Sequence, residues 1–218
     1  MFENIQFGVQ ERIAASRVIF NAIRDPVPIQ SQEQQAIDNV LKGTFFVLLY
    51  GTLEYSITSV VSDTIQCINE KNINHDLVKP RLLSLSLDPF CNSIRDGRSK
   101  KWVHQHKLFT KLEEPTSFNA ETYIFPAERG NIKCKQLAFI WEVFDIKVPL
   151  FPDERYRSYF DALAEHRMAI SHGRKTPQEI GRNVSKNELR AYLNAINHWC
   201  SYLFSCFETY CQNQEYLK

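Results

Sequence analysis

Residues 40 to 65 carry an apolar pattern that leaves few folds open to this chain. Val40, Leu41, Phe45, Phe46, Val47, Leu48, Leu49, Leu53, Ile57, Val60, Val61 and Ile65 cover the whole circumference of a helix around its middle. A helix that is apolar on every side must be wrapped by others, so this one is expected to be central and buried. Ser31 with Gln34 makes a capping-box pair at its start, and the pattern can run to about Asn72. The longest apolar run, Phe45 to Leu53, is interrupted by Gly51 and followed by Glu54, far short of a bilayer span, so the chain reads as soluble with no membrane partner. Glu54 is an anomaly in its own right, a carboxylate where burial is expected to be nearly complete.

The segments around this helix are also helical. Phe2 to Arg24 reads as a first helix with Ile5, Val9, Ile13, Ile19 and Phe20 on its apolar face, stopped by Asp25-Pro26. Helical character returns from Lys133 to Val143, and Val148-Pro149-Leu150-Phe151-Pro152 punctuates the chain before a helix that begins at Asp153 or its neighbour. A polar loop from Gly173 to Val184 follows. Ser185 with Glu188 then opens a last helix in which Leu189, Tyr192, Leu193, Ile196, Cys200, Leu203, Phe207 and Tyr210 recur at helical spacing. From Asn74 to about Gly130 the period breaks at Pro80, Pro89, Pro115 and Pro126 and at the Asp96-Gly97 turn. That stretch reads as loops and short elements, with a strand around Thr122 to Phe125. The expected fold is an all-α bundle of about four or five helices. It forms one domain over 1–218, with 74–130 as an irregular, loop-rich insertion between the second and third main helices.

Bulk properties narrow the setting. A net charge of +1 supplies no global field toward nucleic acid or a membrane, so any basic surface is local. The six cysteines include no C-x-x-C pair and no signal-peptide pattern precedes the first helix, which points to reduced thiols in a cytoplasm and to no zinc ribbon.

The second anomaly is Arg167. Tyr156, Tyr159, Phe160, Leu163 and Ile170 define one apolar stripe, and Arg167 lies at its centre. A guanidinium is always charged and costly to desolvate, so its position implies a buried carboxylate or an anionic ligand. His172 and then Gly173 follow, the glycine being a favoured helix stop. Five residues at 100° each set two side chains about 140° apart on a regular helix. Either the Gly173 stop turns His172 inward, or the two groups converge with those of a second chain.

An all-α bundle whose penultimate long helix ends in Arg167-x-x-x-x-His172-Gly173 resembles the HEPN superfamily (higher eukaryotes and prokaryotes nucleotide-binding), whose signature is an arginine four to six residues before a histidine. The segment from Phe46 to Glu54 is similar to the buried helix of larger prokaryotic branches, including the RiboL-PSP-associated type, where a glutamate follows an apolar run. The resemblance implies metal-independent cleavage of RNA by a homodimer in which both signature helices line one cleft. It also implies a toxin or anti-phage defence setting in which a cognate antitoxin or defence-system protein restrains the activity. Arg167 and His172 match the motif, and Glu54 matches the upstream acidic position. Met168 departs from it, because many members carry a polar residue directly after the arginine. A non-catalytic module that binds RNA or protein and dimerises through the same helices is therefore the competing expectation.

These residue types suit RNA chemistry, because RNA carries its own nucleophile in the 2′-hydroxyl. A base near neutral pKa and a cation for the phosphorane then suffice, with no metal or cofactor. In this scheme Glu54 orients Arg167 through a charge-assisted pair, or the two form a structural ion pair with His172 as a helix C-cap. Arg174, Lys175 and Arg182, with Lys186 and Arg190, outnumber Glu179 and Glu188 beside the motif and are the candidate RNA-binding rim. A second basic cluster, Arg95, Arg98, Lys100, Lys101 and Lys107, surrounds Trp102, His104 and His106. It reads either as a stacking surface for bases or as a surface loop that Trp102 anchors to the core. His104-x-His106 lacks a third ligand nearby, so no metal site is expected there.

Overall fold

The computed structural model describes residues 1–24, 31–97, 100–123 and 132–218. Its described residues form α1 (Glu3–Ala22), α2 (Gln32–Glu70), a 3-10 turn (His75–Leu77), α3 (Pro80–Ser86), α4 (Asp88–Asp96), α5 (Lys101–Glu113), α6 (Cys134–Phe144), α7 (Tyr156–Ser171), α8 (Pro177–Gly181) and α9 (Lys186–Gln212). Among them no strand is formed, and pairing is limited to two isolated bridges. The chain is all-α, as its periodicity requires.

The contacts divide it into two compact units. The first takes the described residues of Met1–Ser59, Arg129–Lys135 and Pro149–Ser205. Its centre is Phe45, Phe46, Leu49, Leu53 and Ile57 of α2, packed with Phe160, Leu163, Trp199 and Leu203, all fully buried. The rings meet edge to face: Phe160 lies 4.9 Å from Trp199, and Phe46 lies 5.1 Å from Tyr192. The second unit takes the described residues of Val60–Glu128, Gln136–Val148 and Cys206–Lys218, around Ile65, Ile68, Leu137, Ile140, Phe144 and Phe207. Buried His75 holds two of its segments, with Nε2 3.0 Å from Ser86 Oγ and Nδ1 3.4 Å from Thr116 Oγ1. The Asn69 amide brackets Ala120, donating to its carbonyl at 2.8 Å and accepting its N–H at 3.0 Å.

Several expectations are corrected. α2 is not apolar-buried all round, since Val40 and Leu48 are exposed and Glu54 is half-buried. By length and composition alone it is apolar enough to cross a membrane, and 56% of the qualifying window is buried inside the protein, as in a core helix. The stretch 74–130 is richer in helix than loops and turns suggest, because α3, α4 and α5 lie within it. Thr122 and Tyr123 form a turn where a strand was expected, while Ile124 and Phe125 lie outside the described residues. The Asp25-Pro26 stop, Arg98, Pro126 and Gly130 lie outside them too. α7 begins at Tyr156 rather than at Asp153, whose carboxylate accepts the Arg155 backbone N–H just before it. The polar loop after Gly173 contains α8.

Candidate active site on the signature helix

Buried Phe160, Leu163 and Ala164 fix α7 against the core of the first unit, while Tyr156, Tyr159 and Ile170 of the same stripe are half-buried. Arg167 is half-buried as well, and its guanidinium carbon lies 5.0 Å from the centre of the Tyr50 ring. That is a cation–π distance. Tyr50 stands one helical turn before Glu54 on α2, so the two share a face. The Tyr50 hydroxyl accepts the buried backbone N–H of Ile132 at 2.6 Å. Burial raises the Tyr50 phenol pKa against the lowering effect of that hydrogen bond. The Glu54 charge adds to the rise, and the Arg167 charge opposes it. One phenol thus lies within electrostatic reach of both anomalous charges.

Sequence reasoning missed Tyr50 as a site residue because a tyrosine in an apolar helix reads as core. The signal was its spacing of four from Glu54. It missed His166 for the same reason. That imidazole is half-buried with its ring centre 4.6 Å from the Phe46 ring, and burial, followed by the Lys175 charge, pushes its pKa down against the opposing pull of Glu165.

His172 caps α7. Gly173, at φ +65°, donates to the Ile170 carbonyl at 3.0 Å, and Arg174 N–H donates to the Ala169 carbonyl at 2.9 Å. This pair of bonds is a Schellman stop, for which a left-handed residue is required after the cap. The stop does not turn His172 inward. The residue is exposed, and its imidazole makes no hydrogen bond or ion pair among the described residues. Arg167 and His172 therefore sit at different depths, as a 140° offset on one helix demands.

The stop leads directly into α8, which begins with a complete capping box. Thr176 Oγ1 accepts Glu179 N–H at 3.2 Å, and the Glu179 carboxylate accepts Thr176 N–H at 2.6 Å. Two glycines bring α8 to the backbone of α2. A Cβ on Gly43 would lie 2.1 Å from the Pro177 carbonyl oxygen, and one on Gly181 would lie 1.9 Å from that of Asn39. Beside this contact lies an open groove of about 470 Å³, lined by Gln32, Gln35, Ala36, Asn39, Gln178 and Arg182. Arg174, Lys175 and Arg182 are all exposed, whereas Lys186 and Arg190 each lie 5.5 Å from the Phe20 ring. Of the rim cations, Lys186, half-buried, and Arg190, exposed like the first three, also cover an aromatic side chain. Among the described residues no group of three or more His, Cys, Asp or Glu is placed to hold a metal ion.

An all-α chain with a half-buried arginine, a Schellman-capped histidine five residues on and a glutamate on the central helix has the features of a HEPN domain. Residues 16–216 match the HEPN_MAE_28990-like HEPN family, and the chain belongs to that family. It therefore carries a module of the nucleotide-binding or ribonuclease-like class. No curated protein and no solved structure matches the chain.

Proposed function

We propose that this protein is a metal-independent endoribonuclease that works as a homodimer, with Arg167 and His172 as its catalytic residues. The observation that carries this reading is the Schellman stop, which presents an unengaged imidazole five residues beyond a guanidinium held at half depth over Tyr50. His172 removes the 2′-hydroxyl proton, and the 2′-oxygen attacks the adjacent phosphorus. Arg167 takes the charge on the non-bridging oxygens, and the partner's His172 protonates the departing 5′-oxygen. The products are a 2′,3′-cyclic phosphate and a 5′-hydroxyl. General base catalysis supplies about 10²- to 10⁴-fold and a positioned charge about 10²- to 10³-fold. Glu54 and Tyr50 act as positioning residues for the guanidinium, and Arg174, Lys175 and Arg182 track the phosphates. Exposure of His172 in the single chain supports the dimer, because a second copy supplies the facing groups that one helix keeps apart. The biological setting proposed on family grounds is a toxin or anti-phage defence system held in check by a cognate protein.

Incubation of the purified protein with total RNA in EDTA tests this. Cleavage that falls at least about a hundredfold in both Arg167→Ala and His172→Ala supports the enzyme. Intact RNA with the wild-type chain overturns it and favours the non-catalytic module that Met168, directly after Arg167, would suit.

A further inference from the structure

We propose that the groove between α8 and the start of α2 is a base-reading subsite that takes one adenine of a single-stranded RNA. The inference rests on RNA being the ligand of this chain and names what the chain selects in it. Gln32, Gln35, Ala36 and Asn39 recur at intervals of three and four residues and so share one face of α2. Gln178 in α8 and Arg182 at its C-cap, four residues apart, form the opposite wall. The walls are held together where Gly181 meets the Asn39 carbonyl, so main chain sets their separation.

The lining is made for hydrogen bonding. It consists of four carboxamides, one guanidinium and Ala36, with no carboxylate among the described residues that form it. The acids nearest in sequence are turned elsewhere: Glu179 closes the box with Thr176, Asp38 accepts from the Gln34 amide, and Glu33 lies about 100° around α2 from Gln32. Asn39 is the telling member. It is 7% exposed, and its carboxamide makes no hydrogen bond among the described residues. The partnerless side-chain atoms sealed from solvent are Thr64 Oγ1, Asn197 Oδ1 and the Tyr210 hydroxyl, so the Asn39 amide keeps an opening, and the groove is what it lines. A buried amide without a partner is costly, and a ligand that supplies both an acceptor and a donor removes that cost.

The hydrogen-bonding pattern selects the occupant. A carboxamide offers a donor beside an acceptor and pairs with adenine in a bidentate fashion. Adenine alone among the four bases carries a neighbouring donor and acceptor on both its Watson–Crick edge, at N6 and N1, and its Hoogsteen edge, at N6 and N7. Two carboxamides of the groove therefore hold it at once. Guanine presents two acceptors on its Hoogsteen edge, which suit arginine or lysine instead, and a duplex occupies the Watson–Crick edge. Arg182 takes the phosphate of the bound nucleotide and continues the exposed cations Arg174 and Lys175 that follow His172. The volume of about 470 Å³ falls within the range of about 300–1,000 Å³ typical of small-ligand sites. A protein partner would seek a pocket for an aromatic or aliphatic anchor, and Ala36 is the sole apolar side chain here.

The experiment uses the full-length His172→Ala protein and a fluorescein-labelled, nine-residue oligouridylate whose central base is A, G, C or U, with affinity read by anisotropy. The adenine version is expected to bind about tenfold more tightly than the all-uridine one. On the same background, Asn39→Leu and the double variant Gln35→Ala/Gln178→Ala are each expected to bring that ratio close to one while all-uridine affinity changes by less than about twofold. If Asn39→Leu does not fold, the double variant decides. Equal affinity for the four oligonucleotides, preference for another base, or an adenine preference kept in the double variant overturns the proposal. A changed sedimentation coefficient in the double variant with the adenine preference intact also overturns it and makes the groove a protein contact. Because binding is read without cleavage, its failure is distinct from failure of the ribonuclease reading.

Discussion

The guanidinium of Arg167 rests 5.0 Å from the Tyr50 ring centre, while the hydroxyl of that same tyrosine takes the Ile132 N–H at 2.6 Å. One side chain thus supports the candidate catalytic cation with its face and the chain entering α6 with its edge. The two roles separate by substitution. Tyr50→Phe keeps the ring and strands a buried N–H, so it is expected to cost about 1–3 kcal/mol in urea unfolding while folded protein retains its RNA cleavage. Tyr50→Leu removes the ring face too, and cleavage per folded molecule is expected to fall about tenfold further.

Gly43 and Gly181 allow α8 to approach α2 at backbone distance, and neither has room for a methyl group, since the obstructing atoms are carbonyl oxygens. Gly43→Ala and Gly181→Ala are each expected to destabilise by about 1–3 kcal/mol, because the clash is relieved only by moving a helix. Gly51 is the internal control. Nothing lies within 4 Å of the position its Cβ would take, and it sits in the interior of α2. Gly51→Ala is therefore expected to stabilise by about 0.5–1 kcal/mol through helix propensity. Melting temperatures of the three variants, measured together, check the contrast.

What the sequence conveyed follows the range of the interactions involved. The Ser185–Glu188 box forms as written, because capping is settled within one turn. The Ser31–Gln34 pair forms only in part: Ser31 Oγ accepts Gln34 N–H at 3.1 Å, while the Gln34 amide donates instead to Asp38 at 3.2 Å. Pro80 and Pro89 were read as breaks in the helical period, yet each lies in the first turn of a helix, where the missing N–H costs nothing, and Pro177 does the same at the start of α8 within the stretch read as a polar loop. Thr176 and Glu179 carried the signal for α8 that the prolines obscured. Tyr50 and His166 were illegible for another reason. Their partners, Arg167 and Phe46, are far away in sequence, and periodicity says that a residue is inward without saying what it meets.

Gly173 tests whether the presentation of His172 matters. Its φ of +65° is left-handed, which costs an L-residue about 1–2 kcal/mol. Gly173→Ala is expected to lose about that much stability and to loosen the stop that presents the imidazole. Gly173→Asn, a residue that tolerates the conformation, is expected to retain most of both. Cleavage assays on the two variants, corrected for folded fraction, separate a positioning effect from simple destabilisation.

Two imidazoles, buried His75 and half-buried His166, set the acid limit of the fold. His75 is lowered by burial and by the nearby Lys111 charge, and His166 by burial and Lys175. An unfolded histidine titrates near about 6.5, and both folded groups titrate below that. As pH falls through about 6.5 the unfolded chain binds protons that the native chain refuses, so stability present at neutral pH declines toward the lower folded values. The carboxylates of Asp145, Glu179 and Glu188 are lowered too, by Lys147 and Lys79, by Thr176 and by Ser185 respectively, and their contribution is lost only in the more acidic carboxylate range. Urea midpoints measured between pH 7.5 and 5 are therefore expected to fall before carboxylate titration begins. In His75→Gln, which keeps a polar group beside Ser86 and Thr116, the early part of that decline is expected to flatten. An unchanged slope in that variant would show that His75 does not set it.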